Sequence, residues 1–247
     1  MTTYSIKIYG ERNTGTNYLE KLIDLNIEAN IMPGVVPQRI MALQQQLPGN
    51  EMIRDIYFKL TFSSNLGWKH MLVKPPEKLR HHSNVGFVTL TRNPYSWLLS
   101  LYDRPYHQYY SEKPSFEEFL AIPWRTVGRE NAAKELPSPI ELWNIKNFAY
   151  LRLNGILPSL NIRFEDLLID PQGVCGLICE TFSCPKKAAQ FVNYEKSTKG
   201  GGKDYWFYRD YYLNERWKPR LTPLATSMIN ERINPRLMET FRYDNLC

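Results

Sequence analysis

Seven consecutive residues, Val85-Gly86-Phe87-Val88-Thr89-Leu90-Thr91, carry no charge and no alternation of polar with apolar positions. Such a run suits a central strand of a parallel sheet, buried on both faces. Parallel strands need crossover connections, and the pattern around this run supplies them as helices. Tyr4-Ser5-Ile6-Lys7-Ile8-Tyr9 alternates as a strand, and Leu19, Leu22, Ile23 and Ile27 follow at helical spacing. Gly67 to Val73, closed by Pro75-Pro76, and Leu160 to Phe164 read as further strands, while Ile56 to Leu60 reads as strand or buried turn. The expected class is α/β: a central parallel β-sheet flanked by helices on both faces, in a single domain over residues 1–247.

Helix signals fill the gaps. Pro94 opens a helix through Tyr102, Ser115 with Glu118 caps a short one through Leu120, and Ser138 with Glu141 starts one ending near Leu153. Helices are also expected from Pro171 to Phe182, Pro185 to Tyr194, Tyr208 to Trp217 and Leu221 to Ile233. The Pro- and Gly-punctuated stretch 30–55 reads as loop, helix (Arg39 to Leu47) and loop, and 196–206 as a loop.

Between the first strand and helix lies Gly10-Glu11-Arg12-Asn13-Thr14-Gly15-Thr16-Asn17-Tyr18. A Gly-containing turn entering a helix points backbone N–H groups and the positive helix pole at one spot, an anion site. The two glycines have P-loop spacing. A triphosphatase, however, needs Lys and then Ser/Thr after the second Gly, and here Thr16 and Asn17 stand there. The loop reads as a phosphate cradle without the ATP–Mg²⁺ apparatus.

The net charge of +6 suits an anionic ligand, but no clustered basic face or nucleic-acid motif accompanies it. The four cysteines (Cys175, Cys179, Cys184, Cys247) lack zinc spacing and read as free thiols in a reducing compartment. No apolar run approaches the roughly 20 residues of a membrane span, and no basic-then-apolar leader opens the chain. The expectation is a cytoplasmic protein with no bound metal, no nucleic-acid partner and no membrane span.

Three ordered motifs, each at a strand end, resemble those of the sulfotransferases that use PAPS (3′-phosphoadenosine 5′-phosphosulfate) and release PAP. The Gly15-Thr16 turn with Arg12 before it looks like their 5′-phosphosulfate loop. Thr91-Arg92-Asn93-Pro94 through Ser100 resembles their 3′-phosphate site. Lys199-Gly200-Gly201-Gly202-Lys203 is similar to the basic loop folded over that phosphate, with Thr198 where Arg is usual. The resemblance implies a P-loop-like sulfotransferase fold and a set of roles. Arg12, Asn13, Thr14, Gly15, Thr16 and Asn17 would hold the phosphosulfate. Arg92, Ser100, Lys199, Gly200 and Gly201 would hold the 3′-phosphate. Tyr18 and Phe164, the latter opening Arg163-Phe164-Glu165-Asp166, would lie near the adenine; both are equally suited to the core.

The same resemblance implies a general base on the strand preceding Arg92, where His70 stands, with Glu11 a second candidate. Lys69 and Arg12 are the candidate stabilisers of leaving-group charge, although on a strand Lys69 would face away from His70. The acceptor is a small molecule or carbohydrate with a hydroxyl or amine. The stretch 30–55 and the loop 102–110 are expected to line its pocket, and Tyr102, Tyr106, Tyr109 and Tyr110 suit a sugar, a polycyclic or an amphipathic product. Two other readings stay open: a P-loop kinase or phosphotransferase, and a non-catalytic binder of nucleic acid or anionic polymers.

Overall fold

The structure is a computed structural model describing residues 4–45, 51–82, 84–197 and 202–247, with the side chains of 44 and 45 left aside. Strand β1 (Ser5–Gly10) leads into α1 (Thr16–Asn26) and a short β2 (Asn30–Ile31). Helices α2 (Gln38–Gln45), α3 (Met52–Leu60) and α4 (Phe62–Asn65) precede β3 (Val85–Thr91). After it come α5 (Pro94–Asp103), α6 (Phe116–Ala121), the ribbon β4 (Trp124–Arg125) with β5 (Glu135–Leu136), and α7 (Pro139–Leu151). The chain finishes with β6 (Ser159–Arg163), α8 (Phe164–Ile169), α9 (Pro171–Phe182), α10 (Tyr205–Leu213), α11 (Pro223–Arg232) and α12 (Pro235–Thr240). No helix among the described residues is long and apolar enough to cross a membrane.

The sheet runs β2-β1-β3-β6 with every neighbour parallel. Its register pairs Gly10 with Leu90, and Thr91 with Arg163, so the carboxyl ends of three strands finish level. That alignment brings the loop after β1, Arg92 after β3 and Phe164 after β6 to one edge, where ligands of parallel sheets sit. Ile6, Ile8, Val88, Leu90 and Ile162 face a core shared with α1, α8 and α9. Tyr9, Val85 and Phe87 face the other way, onto Phe58, Trp68, Met71, Val73 and Tyr150. The central strand is therefore covered on both faces, as its composition demands. Gly86 lies on the first face, where a Cβ would come 2.6 Å from the Phe182 ring. A third cluster, with Trp97, Phe119, Trp143 and Ile229, joins α5, α6, α7 and α11.

Four expectations are corrected. Residues 67–73 do not form a strand: Leu66 (φ 57°) and Gly67 (φ 85°) are left-handed, which breaks an extended run at its start. The segment crosses beyond the end of β1 instead, with Lys69 N–H donating to Gly34 O and Gly10 N–H to Lys69 O. Its apolar residues are buried as turns, not as a pleated face. Residues 56–60 belong to α3. Residues 185–194 are not helical, because their backbone bonds go to α1: Lys187 N–H donates to Asn26 O and Val192 N–H to Asn26 Oδ1. Helix α10 starts at Tyr205, capped by Asp204, whose carboxylate accepts from Phe207 N–H at 2.8 Å.

One buried ionic network fastens the sheet edge to the helices around it. Glu11 Oε1 accepts from Arg12 N–H and Nη1, and its Oε2 lies 2.8 Å from Lys146 Nζ of α7. Arg12 Nη1 also donates to Glu130 Oε1 at 2.6 Å. All four side chains are buried, Lys146 and Glu130 completely. Two carboxylates face two cations, so the cluster closes without excess charge. Burial alone would raise the Glu11 carboxyl, but Lys146 and Arg12 outweigh it and hold it down at about 2.

Two outcomes test this architecture. Gly86→Ala should cost about 1–3 kcal/mol through overpacking against Phe182, seen as a lower urea midpoint at unchanged slope. Glu11→Gln should cost about 3–5 kcal/mol, because it leaves the buried cations Lys146 and Arg12 with Glu130 alone. The carboxyl is depressed in the fold, from 4.5 to about 2, so its stabilisation is present above pH 4.5 and is lost as pH falls toward 2. Urea unfolding of wild type and variant at about pH 7 and about pH 3 should show the gap narrowing in acid.

Candidate active site

The loop after β1 is shaped by two left-handed residues, Asn13 (φ 67°) and Gly15 (φ 89°). Gly15 cannot be replaced without strain, since a Cβ there would meet the Phe164 ring at 2.5 Å. Thr14 turns inward and donates its hydroxyl to Glu11 O at 2.6 Å, so it walls neither cleft. Helix α1 then begins with no side-chain cap, and its first helical bond is Leu19 N–H to Gly15 O. An uncapped N-terminus at the carboxyl edge of a parallel sheet is an anion site by construction.

Arg92 follows β3. Asn93 caps α5 by accepting from Tyr95 and Ser96 N–H, and Pro94 takes the first helical position. This pins Arg92 at the strand end with its guanidinium folded against the helix. Nε donates to Ser96 Oγ, Nη1 to Asn13 O, and Nη2 to Ser96 O and to Ser100 Oγ at 3.0 Å. The Tyr212 ring lies 4.0 Å from the guanidinium carbon and the Phe164 ring 5.7 Å. Arg92 is only 2% exposed, yet among the described residues it forms no ion pair. Every acceptor around it is neutral.

An aromatic slot opens beside this cation, walled by Asn13, Gly15, Tyr18, Phe164, Tyr205 and Tyr212 among others. Tyr18 donates its hydroxyl to Asn193 Oδ1 and its ring lies against Tyr205. Lys196 and Ser197 reach the slot's rim. Lys199, Gly200 and Gly201 lie outside the described residues.

On the other side of Asn13 and Gly15 lies a larger cleft of about 580 Å³. Arg12, Thr16, Asn17, Lys69 and His70 line it together. Because residues 67–73 turn instead of extending, Lys69 and His70 do not face apart; both reach the same space. Lys69 Nζ donates to Asn17 Oδ1 at 2.5 Å and to Glu20 Oε2 at 3.2 Å, which ties it over the start of α1. His70 Nδ1 sits 2.5 Å from Gly10 O. A carbonyl only accepts, so Nδ1 carries the proton and Nε2 is left as the basic nitrogen. Burial, only partly offset by Glu11, pushes the His70 imidazole down to about 3, so the ring is neutral at ordinary pH.

Arg12 is held flat, with Trp68 and Tyr106 rings 4.6 and 4.9 Å from its guanidinium carbon and His107 Nδ1 accepting from Nη2 at 3.3 Å. Burial alone would lower its pKa, but the Glu130 and Glu11 carboxylates outweigh that and raise it. Glu11 lines neither cleft and is committed to Lys146 and Arg12. A carboxylate so committed, and reaching neither cleft, is not placed to take a proton from a bound group, whereas His70 opens onto the large cleft. Of the four tyrosines singled out, Tyr106 and Tyr109 line the large cleft, while Tyr102 and Tyr110 border a separate surface groove. From the stretch 30–55, Val35, Glu51 and Arg54 reach the cleft.

Sequence reasoning missed Tyr205, Tyr208 and Tyr212. Their spacing puts them on one face of α10, a signal present in the aromatic run that follows Asp204. It also missed Glu130 and Lys146, which meet Arg12 and Glu11 only through tertiary folding.

No protein-family model and no curated protein matches the chain. Solved structures do. A sulfotransferase from Alicyclobacillus acidocaldarius is 16% identical, with 99% of this chain and 98% of that one covered, at a TM-score of 0.51. The sulfotransferase domain from the curacin biosynthetic pathway is 16% identical over 100% of this chain and 99% of that one, at 0.48. The sulfotransferase domain of the Synechococcus PCC 7002 olefin synthase is also 16% identical, over 98% and 95%, at 0.44. The parallel sheet, the loop at its edge and the likeness to the Alicyclobacillus enzyme agree: this chain has the sulfotransferase fold.

Proposed function

We propose that this chain, as one catalytic unit, moves a sulfuryl group from PAPS to a hydroxyl or amine of a small-molecule or carbohydrate acceptor. The observation that carries the reading is Arg92: a guanidinium 2% exposed, with neutral partners only, beside an aromatic slot. A buried cation without a carboxylate is costly, and a phosphate gripped there would supply the missing charge. The 3′-phosphate of PAPS fits that place, with Ser100 adding a hydroxyl. The adenine fits the slot between Phe164, Tyr18 and the tyrosines of α10, and the phosphosulfate fits the uncapped start of α1. The fold likeness to sulfotransferases points the same way.

PAPS supplies a sulfuryl group already activated by its bond to phosphate. The acceptor oxygen or nitrogen forms the new bond to sulfur as the bond between sulfur and the 5′-phosphate oxygen breaks. His70 Nε2 takes the acceptor proton, its tautomer fixed by Gly10 O. Lys69, placed over α1 by Asn17 and Glu20, meets the charge growing on the leaving phosphate oxygen together with the α1 N–H groups. Arg12 keeps the loop and cleft in shape, its own charge already matched. A cytoplasmic setting fits the four free thiols and the donor.

PAP without metal should stabilise the protein, by roughly 2.7 kcal/mol at 100 times its Kd, and Arg92→Ala should abolish the rise in Tm. A Tm that responds only to ATP with Mg²⁺ would instead support a phosphotransferase. His70→Ala should retain PAP binding and lower kcat by about 10²–10⁴-fold. In the wild type the acid limb of kcat/KM should lie below the ordinary 6.5 of imidazole, because burial lowers the His70 pKa. Wild-type turnover by the variant would remove His70 from the role of base.

A further inference from the structure

The large cleft holds more positive charge than the donor's phosphosulfate accounts for. Its walls carry Arg12, Arg54, Lys69, Arg104 and Arg129 against one lining carboxylate, Glu51. Three of these cations are matched by the protein: Arg12 by Glu11 and Glu130, Lys69 by Glu20, and Arg129 by Glu51 and Asp55. Arg54 and Arg104 form no ion pair among the described residues; Arg54 feels only the field of Glu51, a carboxylate it shares with Arg129. Glu51, one helical turn before Arg54, commits Oε2 to Arg129 Nη2 at 2.6 Å. The Nε of Arg54 is buried and has no hydrogen-bond partner. Arg104 also lines the cleft and is exposed, two residues before Tyr106, whose hydroxyl donates to Asn13 Oδ1 at 2.9 Å.

A neutral acceptor filling this space would cover Arg54 with only a share of Glu51 to meet its charge and nothing for its orphaned N–H, and would be disfavoured for that reason. An anionic acceptor satisfies both. We propose that the cleft selects an acceptor carrying a carboxylate, phosphate or sulfate group, gripped by Arg54 and Arg104 while its hydroxyl or amine reaches His70. Guanidinium forks suit such oxyanions bidentately. The Tyr109 ring beside them, 77% exposed, offers a face for the body of the acceptor. The two arginines thus set specificity and leave the transfer step to His70, Lys69 and the N–H groups at the start of α1. This inference rests on the donor reading above, since PAPS must occupy the α1 terminus for the remaining cations to face the acceptor.

The test uses the full chain saturated with PAP, so that added anions cannot settle in the phosphate loop. Calorimetric titration compares para-hydroxyphenylacetate, para-hydroxyphenyl phosphate and the neutral para-hydroxyphenylacetamide. Either anion should bind at least about ten-fold tighter than the amide, and whichever is tighter assigns the group as carboxylate or phosphate. The preference should fall to about two-fold or less in Arg54→Gln and again in Arg104→Gln, and it should shrink with added salt. PAP affinity in each variant reports folding, and Arg104, being exposed, covers the case in which Arg54→Gln does not fold. Equal affinities for the three probes, no binding by any, or a preference that survives both substitutions overturns the proposal while leaving the donor site intact. Failure of PAP itself to bind overturns the donor reading, and this one with it.

Discussion

The closure of charge around Glu11 is the constraint on which the site depends. Four ionised groups with almost no exposure meet at the end of β1, and taking each out of water costs several kcal/mol. The cost is tolerable only because the signs alternate: Lys146, Glu11, Arg12, Glu130. That sequence of contacts reaches from α7 through the first loop to the turn at 130. Lys146 donates to His70 O as well, so the same cation that neutralises Glu11 also fixes the backbone bearing the candidate base. The backbone at His70 is thus held by direct contact with this charged cluster, not by strand geometry.

Arg12 and Arg92 show how much the partners of a buried guanidinium matter. Both are nearly inaccessible to solvent. Arg12 has two carboxylates, and a unit charge pair at about 4 Å is worth roughly 4 kcal/mol at an effective dielectric constant of 20. Arg92 has carbonyls, hydroxyls and two ring faces, which offset desolvation in small steps of about 1–2 kcal/mol each. The first is therefore a finished structural unit, and the second retains an unmet demand for negative charge. Of two arginines so nearly buried, the one without a carboxylate among the described residues is the one proposed above to hold a phosphate.

The parallel α/β class was legible because it rests on local patterns. The apolar run of β3, the alternation of β1 and the capping signals at Ser115 and Ser138 all appear where their residues put them. The fold likeness to the Alicyclobacillus sulfotransferase agrees with the resemblance carried by the Gly15 and Arg92 motifs. Two of the errors share one cause. Residues 67–73 have a strand's composition, but the left-handed pair Leu66-Gly67 and the three carbonyls that accept from the buried Lys7 Nζ, those of Pro33, Asn65 and Gly67, bind them as a turn. Residues 185–194 have a helix's composition, but α1 takes their backbone bonds. In both cases a partner distant in sequence overrode local preference. The ionic network escaped notice for the same reason, since 118 positions separate Arg12 from Glu130.

The turn at 67–73 also explains why one short segment can serve the cleft twice. On a strand, neighbours face opposite ways, and Lys69 and His70 could not share a cavity. As a turn beyond the end of β1 they do, with Lys69 over the start of α1 and His70 against Gly10 O. Asn13 and Gly15 form the wall common to the aromatic slot and the cleft. Both have left-handed backbone, and at Gly15 the contact with Phe164 leaves no room for a side chain. Lys69 and His70 lie on the cleft side of this wall, with the uncapped start of α1. Lys69 and His70 share that cleft because the strand expected from the composition of 67–73 is a turn instead.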